Sequence, residues 1–229
     1  MNVRAEAARI VLSMLGLPRV PDRPADRASW PDTFSDPDDG PTPTPRPLVP
    51  YLRWLAQTEP VVFHGSQQRG LVRLSDERRS RDTRAYGDQT AVFASQDPVW
   101  ALFFAVLRRD AMRSTRNASL GADEGVRGRR YLFSVDTDAS IFAPGALYVL
   151  PAAGFAHEPR LAGLFDTAHR TRIGDVRPLG WFEVDPGDFP LEARTTTHTY
   201  RDSIGRTLWT GGWGYRRWLR SAPAGTRAG

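Results

Sequence analysis

The feature that most restricts what this chain can fold into is the strand-like run Val61-Val62-Phe63-His64-Gly65-Ser66. After a polar gap it is followed by Thr90-Ala91-Val92-Phe93-Ala94-Ser95-Gln96-Asp97-Pro98 and then Val99-Trp100-Ala101-Leu102-Phe103-Phe104-Ala105. Short apolar runs rich in β-branched and aromatic residues read as buried strands. Asp97 and Pro98 stand where an N-cap and a first helical residue belong. An aspartate oxygen satisfies an orphaned amide there, and proline's missing N–H costs nothing. Two strands and a helix are therefore expected in quick succession, with a histidine and a glycine ending the first strand. Trp100, Phe103, Phe104 and Leu107 should share one face of the helix.

Around this centre the chain divides into four parts: an N-terminal helical arm (1–17), a Pro/Asp-rich linker (18–48), a main domain (49–195) and a Trp/Arg-rich tail (196–229). Apolar Val3, Ala7, Ile10, Val11 and Met14 recur at helical spacing, and Gly16 with Pro18 supplies a stop. Pro18 to Pro50 holds more than half of the chain's 19 prolines. It has too little apolar surface to offset its ordering entropy, so it reads as an extended or disordered linker or a peripheral belt, with Trp30 and Phe34 as anchor points. In the main domain a short helix is expected around Tyr51–Ala56, and further strands at Arg130–Asp136, Ala146–Pro151 and after Pro178. Asp76–Gln89 and Arg108–Gly128 read as polar loops. Many short strands without strand–helix alternation predict an α+β fold with mainly antiparallel strands.

Composition removes several function classes. No apolar run approaches membrane-span length, and the N-terminus lacks a signal-peptide pattern, so no membrane partner and a cytoplasmic location are expected. Cysteine is absent, which excludes disulfides, a thiolate nucleophile and cysteine metal sites. The four histidines are scattered, and His157-Glu158-Pro159 does not continue into a second histidine one turn later, so no metal is expected. All 31 basic residues are arginine, and the net charge is +5. GC-rich coding explains that bias; a guanidinium also suits phosphate groups. In the tail, Trp209, Trp213, Tyr215 and Trp218 interleave with Arg216, Arg217 and Arg220. That pattern suits either contact with nucleic acid or docking of a terminal arm.

A strand ending in His-Gly, then Val-Phe-Ala-Ser-x-Asp-Pro leading into an aromatic-rich helix, resembles the ADP-ribosyltransferase superfamily. The likeness is to its His–Tyr–Glu branch, which includes diphtheria toxin and the poly(ADP-ribose) polymerases, and to small bacterial members in particular. It spans roughly Val61 to Leu191. The resemblance implies a split antiparallel β-sandwich with few helices and NAD as co-substrate, bound in a cleft between two small sheets. It implies transfer of ADP-ribose to a macromolecular or small-molecule acceptor, with nicotinamide released. Carried over, His64 contacts a ribose hydroxyl, and Gly65 lets the backbone approach the nicotinamide carboxamide. Ser66 adjoins them. Val92 or Phe93 takes the second-strand position, and Phe103 or Phe104 gives the other wall of the ring slot. Arg73, Arg79 and Arg84 are candidates for the pyrophosphate. The catalytic acid expected near the penultimate strand falls on Asp166, with Glu158 as second choice, because no glutamate occurs between Leu164 and Arg172. Alternatives of the same fold are a catalytically silent NAD- or nucleic-acid-binding module and an RNA 2′-phosphotransferase-like enzyme. An antitoxin-type partner is a further expectation for a small toxin-like member.

Overall fold

The computed structural model describes residues 3–22, 27–28, 30–31, 33–76, 90–123, 125–137 and 139–214. Over these the chain forms helices α1 (Val3–Met14) and α2 (Leu48–Thr58), strands β1 (Val61–Ser66) and β2 (Val92–Ser95), and helix α3 (Pro98–Val106). Strands β3 (Thr115–Leu120), β4 (Arg130–Val135), β5 (Gly145–Pro151), β6 (Ala156–His157), β7 (His169–Arg172), β8 (Gly180–Val184) and β9 (Thr196–Thr197) follow, and then helix α4 (Ile204–Trp209). The fold is α+β. One sheet has six strands in the order β6-β7-β2-β1-β5-β8, and the other has three, β3-β4-β9. Every pairing between these strands is antiparallel except β4 with β9.

Strand β1 is central because its apolar run is buried on both faces. Phe63 packs with α3 in one cluster, and Val62 packs with Tyr148, Leu150 and Trp181 in another. Strand β1 pairs with β5 along its whole length, from Val61↔Pro151 to Ser66↔Ala146. With β2 it pairs at one position, Phe63↔Ser95. The large sheet is thus two three-stranded halves, β6-β7-β2 and β1-β5-β8, joined at a single residue pair.

Helix α3 starts as its sequence dictates: Asp97 Oδ1 accepts the Val99 amide at 3.1 Å, and Pro98 is the first helical residue. The expectation of one apolar face is corrected, since every residue of α3 except Trp100 is buried. The helix lies between the two sheets, against β1 and β5 on one side and β4 on the other, where the Phe103 and Phe133 rings are 4.4 Å apart. A helix apolar all round belongs in an interior. Gly65 and Gly145 allow the approach, because a Cβ at either would fall inside 3.0 Å of α3 backbone atoms.

One further expectation changes, and the choice between linker and belt is decided for the belt. Arg108–Gly128, read as a loop, contains β3, paired with β4 from Thr115↔Val135 to Leu120↔Arg130. Its Thr-Arg-Asn-Ala-Ser-Leu sequence has no strict alternation, and the ladder decides its conformation. Residues 33–47 of the proline-rich segment form a belt along β8. The Thr42 amide donates to the Trp181 carbonyl and the Thr44 hydroxyl to the Glu183 carbonyl, both at 2.8 Å. Phe34 meets Phe182 edge-on at 6.1 Å, and Arg177 bridges Asp36 and Asp38 at 2.7 Å each.

The two ends of the described chain clasp each other. Trp213 Nε1–H donates to the Met14 carbonyl, and its ring lies over Gly16, whose φ of +65° itself favours glycine. Trp213 thereby docks as an arm. Tyr215, Trp218 and the arginines around them lie outside the described residues, as do Arg79 and Arg84. No helix among the described residues is long and apolar enough to cross a membrane, and none of their His, Asp or Glu groupings could hold a metal ion.

Candidate active site at the sheet split

His64 sits where the two half-sheets part. Its Nδ1–H donates to the Phe93 carbonyl at 2.7 Å, spanning the gap that the missing β1–β2 ladder leaves. Burial pulls its pKa down to about 4, and the positive charge of Arg109 adds to this, against the opposing effect of the Phe93 hydrogen bond. At neutral pH His64 is therefore uncharged. With Nδ1 carrying the proton, Nε2 is an acceptor suited to a hydroxyl.

Cross-strand neighbours share a face. Phe63, Ser95 and His169 therefore lie on the α3 side of the sheet, while His64 and Tyr148 lie on the other. His64 and the start of α3 thus lie on opposite faces of the sheet.

On the α3 side the aromatics form a cluster with tilted planes, 56° between Trp100 and Phe104 and 47° between Trp100 and His169. The Trp100 indole lies 4.4 Å from the Phe104 ring and 4.6 Å from the His169 ring, and its Nε1–H donates to Asn117 Oδ1 at 2.9 Å. The Arg109 guanidinium covers the Phe104 ring at 4.9 Å. Trp100 escaped the sequence-based site, although it begins the same aromatic run as Phe103 and Phe104. Of the residues expected to wall a flat slot, Phe104 belongs to this cluster, and Phe93 is half-buried at the split. Phe103 does not belong. It is fully buried among Phe133, Phe142 and Phe189 and is a core residue.

Gly65 also changes role. Its missing side chain leaves room for the α3 backbone rather than for a ligand. The Ser66 hydroxyl accepts the Gln68 amide at 3.1 Å and holds the turn that leaves β1.

The expected acid, Asp166, is unsuited to face a substrate. It is 1% exposed. Its Oδ2 pairs with Arg129 and its Oδ1 accepts from His157 Nε2–H, each at 2.6 Å. Arg129, itself buried, uses all five donors: Nε to the Ser119 hydroxyl, and its two amino groups to Gly125 O, Asp166 Oδ2, Ser119 O and Asp166 O. The Ser119 hydroxyl in turn donates to Asp97 Oδ2, and the Tyr131 hydroxyl donates to Asp97 Oδ1 at 3.2 Å. One buried network thus ties the cap of α3, the β3–β4 hairpin and the loop before β7. Its carboxylates are satisfied, as buried charges must be.

Glu158 is the acid placed beside the aromatic cluster. Its amide donates to the His169 carbonyl at 3.0 Å, extending the β6–β7 ladder by one residue. Its Oε2 accepts from His169 Nδ1–H at 2.9 Å and from the Thr167 hydroxyl at 2.7 Å. Because a carboxylate only accepts, the His169 proton is fixed on Nδ1. His169 Nε2 is buried without a partner. Buried polar atoms are normally satisfied, so an orphan of this kind points to a missing ligand or a chemical role.

A separate concavity of ≈ 300 Å³ lies between β9 and α4, lined by Asp136, His198, Asp202 and Arg206 among others. Its histidine is held between the Ser134 and Ser114 hydroxyls at 2.9 and 3.1 Å, and Arg206 already pairs with Asp202 at 2.9 Å, which leaves it saturated.

Neither protein-family models, nor curated proteins, nor solved structures gave a match to this chain.

Proposed function

We propose that this chain is an NAD-dependent ADP-ribosyltransferase of the split-sheet, His–Tyr–Glu type, acting at the parting of β1 and β2. The observation that carries the reading is the single-pair junction Phe63↔Ser95, with an uncharged His64 held in the gap beyond it. The parting of the two half-sheets, with a histidine acceptor on the first strand, suits a ribose hydroxyl. The Trp100–Phe104–His169 cluster suits the flat, cationic nicotinamide ring. Arg109, over Phe104, brings positive charge suited to the pyrophosphate.

In this reading the acid is Glu158. The bond between ribose C1′ and the nicotinamide nitrogen breaks, nicotinamide departs with the electron pair, and the sugar becomes oxocarbenium-like. A carboxylate beside it stabilises that charge. The acceptor's oxygen or nitrogen then bonds to C1′ and gives up its proton.

The test is nicotinamide release from NAD, followed chromatographically, with calorimetry for binding. His64→Ala should weaken NAD binding, and Glu158→Gln should cut turnover by roughly 10²-fold or more, the scale of removing one transition-state group. Asp166→Asn should act on stability. Wild-type rates retained in both His64→Ala and Glu158→Gln would refute the assignment.

A further inference from the structure

Resting on that reading, we propose that His169 is the base that takes the acceptor's proton, and that Glu158 holds it in the required tautomer. Three observations converge. His169 Nδ1–H is committed to Glu158 Oε2 at 2.9 Å, so the lone pair lies on Nε2. That Nε2 is buried with no partner, in a residue only 8% exposed. The ring packs at 4.6 Å against Trp100, tilted by 47°, and Trp100 adjoins Phe104 in the aromatic cluster assigned to nicotinamide. A carboxylate–imidazole pair with its far nitrogen unoccupied is the arrangement general-base catalysis uses, since the carboxylate also stabilises the imidazolium that forms.

With nicotinamide gone, the acceptor oxygen donates a lone pair to C1′ while its O–H proton passes to His169 Nε2. One C–O bond forms, one O–H bond breaks, and the imidazolium keeps the proton until it returns to solvent. The Glu158 charge thus faces two cations in turn, first the sugar and then the imidazolium. Trp100, partly buried against the His169 ring, has its Nε1–H tied to Asn117 Oδ1.

The experiment uses the full chain, NAD, and azide as an added nucleophile that carries no proton to be removed. Nicotinamide release and NAD affinity are measured for the wild type, His169→Gln, His169→Asn and Glu158→Gln, with circular dichroism to check folding. The two His169 variants place an amide near one ring-nitrogen position or the other, so one is expected to keep the fold. In water, turnover in the His169 variants should fall by roughly 10²-fold or more, with NAD affinity within about threefold of wild type. Azide should restore much of that loss in the His169 variants but not in Glu158→Gln, which also lacks the charge facing the sugar. A merely structural role for His169 would give no azide rescue. Turnover within about threefold of wild type, or a folded, NAD-binding His169 variant that azide leaves inactive, overturns this role and leaves the NAD reading standing. A wild-type chain that releases no nicotinamide overturns both.

Discussion

Replacing Gly65 with alanine tests how the split is built. The added methyl would fall inside 3.0 Å of the Ala101 carbonyl oxygen and the Ala105 amide nitrogen, and at 3.0 Å from the Phe104 carbonyl carbon. These are backbone atoms of a helix packed on both sides, so no rotamer change relieves them. Reaching the ordinary ~3.5–4.0 Å optimum requires helix and strand to part by roughly 1.5–2 Å. Overpacking costs about 1–3 kcal/mol where side chains can yield, so a loss at or above about 3 kcal/mol is expected here. For a chain of this length that is a fall in Tm of roughly 6–12 °C. The control is Gly187→Ala, since a Cβ there meets nothing within 4 Å. Thermal and urea unfolding of both variants give the comparison. Since Trp100 and Phe104 ride on the displaced helix, NAD affinity should also weaken in the fraction that remains folded. A Gly65→Ala protein melting within about 2 °C of Gly187→Ala would refute the close-packing account.

Other outcomes follow from the same structure. Arg129→Met leaves Asp97 and Asp166 buried without their guanidinium, so a loss of about 3–5 kcal/mol in urea unfolding is expected. Asp166→Asn added to it should recover part of that loss, and strictly additive losses would argue against the network. The folded pKa of His64, about 4, lies below the ~6.5 of an unfolded histidine, so the unfolded chain takes up the proton first as pH falls. Its stabilisation is complete above about pH 6.5 and is lost toward about pH 4, a difference of at most about 3 kcal/mol. Urea midpoints should therefore fall more steeply with pH in the wild type than in His64→Gln; parallel curves would mean that His64 is not held neutral. Trp213→Ala removes the bond to the Met14 carbonyl and the ring over Gly16. It should raise hydrogen exchange across α1 without changing nicotinamide release, and unchanged exchange would show that the clasp contributes nothing.

Local signals located the elements whose residues carry their own instructions. Asp97-Pro98 starts α3 because cap and first helical residue are chemically specified at those two positions, whatever surrounds them. The runs in β1, β4 and β5 were legible because burial on both faces demands unbroken apolar character. Strand β3 was not, since Thr115 to Leu120 is strand only by virtue of the ladder to β4. The belt along β8 was half legible: proline kept it extended, but the docking of Thr42 and Thr44 onto backbone carbonyls depends on a strand more than a hundred residues later. Phe103 and Phe104 are adjacent aromatics in one helix, and nothing local says that the first turns into the core while the second turns toward Arg109.

The acid is the sharpest case of information the chain holds only at long range. Glu158 and Asp166 flank the same turn before β7, and position relative to that strand favoured Asp166. Each carboxylate has a histidine within reach, His169 for the first and His157 for the second. What separates them is Arg129, 37 residues before Asp166, whose two amino groups bind the Asp166 carboxylate and carbonyl. A carboxylate held by a buried guanidinium has its charge compensated before any substrate arrives, so it has little left to offer an oxocarbenium ion. The Thr167 hydroxyl and His169 Nδ1–H both donate to Glu158 Oε2 and orient its carboxylate. The pairing of Arg129 with Asp166 thus assigns that acid to the framework, and this is why the proposed reading turns to Glu158.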